Sequence, residues 1–123
     1  MSGIATMHAV VLECPDPAAL ADFYSKLLGR PVVRDEPDWA TVRPDKQDGM
    51  RLSFQRAPGY QPPVWPDPAS SMQFHLDVTV PNLDRAEVAA QALGAVKMAH
   101  QPEPDDFRVY ADPVGHLFCL CVE

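Results

Sequence analysis

Residues 73–80 alternate polar and apolar side chains without a break. Successive side chains of a strand point to opposite faces, so Phe74, Leu76, Val78 and Val80 share one face while Gln73, His75, Asp77 and Thr79 share the other. A second alternating run over 6–14 places Val10, Leu12 and Cys14 on one side and Ala9, Val11 and Glu13 on the other. Pro15 stops it. Asp16 suits a helix N-cap and Pro17 the first helical position, which predicts a helix over 18–28, closed by Gly29. Leu20, Phe23, Tyr24, Leu27 and Leu28 give that helix an apolar stripe. Short strands are expected at about 31–34, 39–43 and 50–56, the last two joined by a hairpin turn at 45–49.

The pattern then starts again. Residues 58–71 lack periodicity and read as a proline-rich linker, and beyond them Pro81 stands 66 positions after Pro15, as Gly115 does after Gly49. Asn82 caps a helix over 83–93 as Asp16 caps the first, and strands follow at 95–99, 107–111 and 116–122. The chain is therefore read as one α+β domain over 1–123, with repeat one at about 5–57 and repeat two at about 72–123. Two βαβββ repeats predict a cupped, mostly antiparallel sheet with the helices on its outer face. Alternation assigns Glu13, Trp39, Thr41, Arg43, Arg51, Ser53 and Gln55 of the first repeat to the inner face. From the second come Gln73, His75, Asp77, Thr79, Arg108, Tyr110, Cys119 and Cys121, a polar set that needs a ligand or water to satisfy it.

Composition narrows the partners. Ten basic against seventeen acidic residues, net −7, with the arginines scattered, argue against a nucleic-acid partner. No stretch approaches a membrane span, and the amino terminus lacks the basic-then-apolar order of a secretory signal, which predicts a cytoplasmic protein with no membrane partner. Three cysteines, an odd number, fit reduced thiols.

Three segments, CPDPAALADFYSKLLG (14–29), FHLDVTV (74–80) and YADPVGHLFCL (110–120), in this order and spacing, resemble the vicinal oxygen chelate superfamily. That group includes glyoxalase I, bleomycin-resistance proteins and extradiol dioxygenases, and the texture is that of its small bacterial glyoxalase-like members. The resemblance covers nearly the whole chain. It implies the paired βαβββ fold, a homodimer, and in metal-dependent members four ligands, one each from the first and last strands of the two repeats. Carried onto this chain by the 66-residue offset, those positions are Ala9, Ser53, His75 and Cys119, of which only His75 is the expected type. His8 lies one residue from Ala9 and points to the opposite face unless a bulge turns it inward.

The candidate ligand pocket thus comprises Glu13, Trp39, Arg51, Ser53, Gln55, His75, Asp77, Arg108, Tyr110 and Cys119. No cofactor is required by this set, although a divalent ion (Zn, Fe, Mn or Ni) can be held by His75 with Asp77, Gln55 or Glu13. His-x-Asp places both donors on one strand face. Cys119 and Cys121 could bind a soft metal with His75, act as nucleophiles near Arg51 or Arg108, or simply fill space. Trp39, Tyr110, Tyr60 and Trp65 suit the walls and lid of a pocket for a flat molecule, and Arg43, Arg51 and Arg108 can clamp a carboxylate or phosphate. Plain packing accounts for the aromatic residues equally well, and the arginines are structural if they pair with Asp38, Asp106 and Asp112. The expected function is binding of a small organic molecule in the cup. A metal-dependent lyase, isomerase or dioxygenase and a ligand-free interaction module are the alternatives.

Overall fold

In the computed structural model, which describes residues 3–46, 49–71 and 75–122, the chain divides into two compact units, Met1–Tyr60 and Gln61–Glu123. Each holds one βαβββ repeat. The first runs β1 (Ala9–Cys14), α1 (Pro17–Leu28), β2 (Val32–Glu36), β3 (Trp39–Val42) and β4 (Arg51–Arg56). The second runs β5 (Leu76–Thr79), α2 (Leu83–Leu93), β6 (Val96–Lys97), β7 (Phe107–Ala111) and β8 (Leu117–Cys121). The expected strand start at Gln73 and Phe74 lies outside the described residues.

Sheet order is the same in both units, β1-β4-β3-β2 and β5-β8-β7-β6. The first and last strands of each repeat pair in parallel and the other neighbours antiparallel. A parallel pair needs a crossover, and the helix supplies it. Both helices start as the sequence predicts: Asp16 Oδ1 accepts from the Ala19 N–H at 3.4 Å, and Asn82 Oδ1 from the Arg85 N–H at 2.9 Å.

The sheet faces follow from register. In the first unit Val10, Leu12 and Cys14 of β1 stand beside Leu52, Phe54 and Arg56 of β4, and α1 packs on that side. Tyr24 stacks on Phe54 with ring centroids 5.5 Å apart, over a core that includes Leu12, Leu20, Ala40 and Val42. Each buried ring contributes roughly 1.5–3 kcal/mol through area removed from water. In the second unit Tyr110 stacks on Phe118 at 5.6 Å, on the side that α2 covers. The faces turned away from the helices carry the residues of interest.

Candidate functional site

In the second unit the parallel register of β5 and β8 sets Asp77 beside Cys119 and Thr79 beside Cys121. His75 precedes β5 and reaches the same carboxylate, with Nε2 3.1 Å from Asp77 Oδ1. One ligand atom from each of His75, Asp77 and Cys119 lies within 4.8 Å of the others. His75 and Asp77 are exposed whereas Cys119 is buried, so the cluster opens at one side. Burial, and after it the charge of Asp77, pushes the Cys119 thiol up to about 12; the same causes raise Cys121. At neutral pH both are therefore protonated thiols rather than nucleophiles.

Next to this cluster the sheet is apolar. Val109, Leu117 and Cys119 form a buried group against which Trp65, Met98, Phe107, Ala111 and Cys121 pack. Trp65, expected as a wall or lid, lies on this group and also meets the His100 ring at 5.3 Å. Gln101 fixes the backbone here: its amide nitrogen donates to the Met98 and Val109 carbonyls and its oxygen accepts the Val109 N–H. The two-residue β6 is thereby extended by a side chain, a role that periodicity does not reveal.

Two expected pocket residues lie on the opposite face. Arg108 and Tyr110 pair in register with Leu120 and Phe118, on the helix side of the sheet. Arg108 Nη2 donates to Asp84 Oδ1 at 2.9 Å and Tyr110 Oη to Glu87 Oε1 at 2.9 Å, both on α2. The expected inward placement is corrected by this register: Phe107, Val109 and Ala111, not Arg108 and Tyr110, share a face with Cys119 and Cys121. His116 closes the turn after β7, its N–H donating to Asp112 Oδ1.

In the first unit the face away from α1 carries a chain of hydrogen bonds. Trp39 Nε1 donates to Thr41 Oγ1 at 3.1 Å, and Thr41 Oγ1 lies 3.0 Å from Ser53 Oγ, with both hydroxyls buried. Arg34 stacks over the Trp39 ring, its guanidinium carbon 5.5 Å from the centroid. Glu13 and Gln55 are register partners and exposed. Arg51, half-buried, brings Nη1 to 3.4 Å from His8 Nδ1. His8 lies just before β1, and its carbonyl accepts the Arg51 N–H at 2.9 Å.

The model of the glyoxalase-like domain family matches residues 9–121. The chain belongs to that family. With it the chain joins the vicinal oxygen chelate superfamily. This glyoxalase-like domain shares its fold with an enzyme of the glyoxalase/bleomycin resistance protein/dioxygenase family from Burkholderia phytofirmans, at 18% identity, TM-score 0.72, and coverage of 96% of this chain and 98% of that one. It is similar too to the trypanothione-dependent glyoxalase I of Leishmania major, at 16% identity, TM-score 0.65, and coverage of 97% and 87%. A glyoxalase-related enzyme from Fulvimarina pelagi gives 18%, 0.69, and 98% and 89%. At such identities the likeness is one of fold. No curated protein matches the sequence.

The family's four ligand positions do not make a four-donor set in this glyoxalase-like domain. Ala9 offers a methyl group, and the Ser53 hydroxyl, 2% exposed, is engaged with Thr41. His75 and Cys119 are joined by Asp77, one residue past the position that alternation skips, as a three-donor group of nitrogen, oxygen and sulfur. No helix among the described residues is long and apolar enough to cross a membrane.

Proposed function

We propose that this glyoxalase-like domain binds a small organic molecule and does so without a four-ligand metal centre. The observation that carries the reading is the state of the first-repeat ligand positions, a methyl at Ala9 and a buried hydroxyl at Ser53 already bonded to Thr41. A neutral hydroxyl held in this way is a poor donor to a divalent ion. The half-buried side chains of Trp65, Phe107 and Cys121, packed on the buried Val109 and Leu117, give an apolar surface that suits the body of an organic ligand, and His75 and Asp77 supply polar contacts at its edge. A second copy of the chain is the expected partner.

Thermal unfolding in the presence of a panel of aromatic and α-hydroxycarbonyl compounds tests the reading. A true ligand at about 100 times its dissociation constant stabilises by about 2.7 kcal/mol. That shift disappears in Trp65→Ala if the apolar surface is where the ligand binds. A panel with no stabilising member overturns the reading.

The closeness of His75, Asp77 and Cys119 favours one other reading, a divalent ion held by these three side chains. Such an ion would supply Lewis acidity toward vicinal oxygens of a substrate. The raised Cys119 thiol must lose its proton to become a ligand, so occupancy rises with pH. Metal analysis of protein purified without chelator decides: a stoichiometric ion that is lost in His75→Ala establishes this second reading in place of the first.

A further inference from the structure

At the end of the first sheet remote from the β2–β3 turn lies a cleft of about 410 Å³ lined by Val33, Arg43, Pro44, Asp45, Lys46 and Arg51. Three of the six carry positive charge. Among the described residues Asp45 is the one carboxylate in the lining, and the Arg30 guanidinium approaches it at 3.8 Å. Among the described residues, three cations therefore line the cleft beside one acid that Arg30 also approaches, in a chain whose net charge is −7.

Among the described residues Arg43, Lys46 and Arg51 have no carboxylate partner in an ion pair, whereas Lys26, Arg34, Lys97 and Arg108 all do. Arg51 directs one nitrogen toward His8 Nδ1, which leaves other N–H groups of its five available. The backbone around the cleft is held at several points. The Arg43 N–H donates to the Pro31 carbonyl, the Gly49 N–H to Lys46, and the Arg51 N–H to His8. The two guanidinium groups therefore project from anchored backbone, Arg43 just past the end of β3 and Arg51 at the start of the neighbouring β4.

We propose that this cleft is an anion site that takes the phosphate group of a small organic phosphate. Two guanidinium forks and an ammonium in one concavity match a tetrahedral dianion, whose two charges draw more from three cations than a single carboxylate does. The volume exceeds that of a bare phosphate, and Val33, 56% exposed, gives an apolar contact for the carbon body that carries it. The site is argued from the first unit alone and stands whether or not the reading given under Proposed function holds.

The test is a titration of the full chain in a chloride buffer, followed by backbone amide and arginine Nε–H resonances, with inorganic phosphate, phenyl phosphate and benzoate as probes. Saturable shifts are expected at Val33, Arg43, Lys46 and Arg51, with a dissociation constant on the order of 1 mM for phosphate. Phenyl phosphate binds more tightly, and benzoate about tenfold more weakly than phenyl phosphate. Arg43→Gln and Arg51→Gln each weaken phenyl phosphate by about tenfold, while Arg56→Gln, exposed and at the other end of β4, leaves it unchanged. Lys46→Gln, on an exposed turn, gives the same direction of loss if either arginine variant fails to fold. The proposal is overturned by shifts that do not saturate, by equal shifts at Arg56 and Arg85, or by benzoate binding as tightly as phenyl phosphate.

Discussion

The backbone of Gly115 has φ +99°, and a Cβ built there would lie 2.5 Å from the Pro62 Cβ. Conformation and space both demand glycine at this turn, where the Gly115 N–H donates to the Asp112 carbonyl and Asp112 Oδ1 accepts from Val114 and His116. Gly115→Ala is expected to cost about 2 kcal/mol or more in urea unfolding, since positive φ and a clash with a rigid ring add. Gly59→Ala, with nothing within 4 Å, serves as the control and changes stability little. The aspartate, proline and glycine of 112–115 were among the residues that carried the family resemblance, and their part here is to shape the turn that delivers β8. The cysteines make a second prediction. With its thiol pushed up to about 12 from an ordinary 9.0, chiefly by burial, Cys119 holds a thiolate population lower by a factor on the order of 10³. Alkylation by iodoacetamide at pH 8 is expected to leave Cys119 unmodified under conditions that label it fully in urea, as mass spectrometry can read. Because the folded chain keeps this proton more tightly than the unfolded one, the contribution to stability is complete below pH 9 and falls away as pH rises from 9 toward 12. Ready labelling in the native state would refute the burial that the shift rests on.

At the scale of elements, the two helices differ in what they offer their sheets. α1 buries Pro17, Leu20, Ala21, Phe23 and Tyr24, whereas α2 buries only Leu83 and Ala90 and turns Asp84 and Glu87 toward β7. This explains where alternation was misread. Phe107 to Ala111 alternates cleanly, but the rule that polar side chains avoid the helix face fails when the helix itself supplies carboxylates. The order of the elements, both caps and the two proline stops were legible because each depends on a few adjacent residues; the phase of β7 depends on a partner 23 residues away in sequence. Glu87 is the centre of that partnership. Burial works to raise its pKa, but hydrogen bonds from Lys97 and Tyr110 and the charges of Lys97 and Arg108 overcome it and hold the carboxyl below its ordinary range. A carboxylate so lowered adds stability above its unfolded pKa, and that stability is lost as pH falls through the folded value. Glu87→Gln should therefore flatten the acid limb of a stability-against-pH curve, while Glu87→Ala, which leaves the buried Tyr110 hydroxyl without its acceptor, costs about 2 kcal/mol at pH 7. An acid limb unchanged in Glu87→Gln would count against this assignment.

For the whole molecule, the 66-residue offset did more than any single motif, because it located equivalent positions in two units whose sheets have the same strand order. It found His75 just before β5 and Cys119 on the neighbouring β8, and it also found Ala9 and Ser53, which are not metal donors. The cationic cleft escaped it, since Arg43, Lys46 and Arg51 come from a turn and strand ends that have no counterpart pattern in the second repeat. That cleft is a local exception in an acidic chain, and the contrast gives a prediction about salt. A net charge of −7 with a sequence pI near 4.9 places self-repulsion on the folded state at neutral pH. Sodium chloride shortens the screening length from about 30 Å at 0.01 M to about 10 Å at 0.1 M, which relieves this repulsion. The melting temperature at pH 7 is thus expected to rise by a few degrees over that range of chloride. At pH 4.9, where net charge vanishes, the same titration should leave it nearly flat. A melting temperature that falls with chloride at pH 7 would mean that the attractive pairs around Glu87 and Arg108 outweigh the overall repulsion, and the electrostatic account of the molecule would have to be reversed.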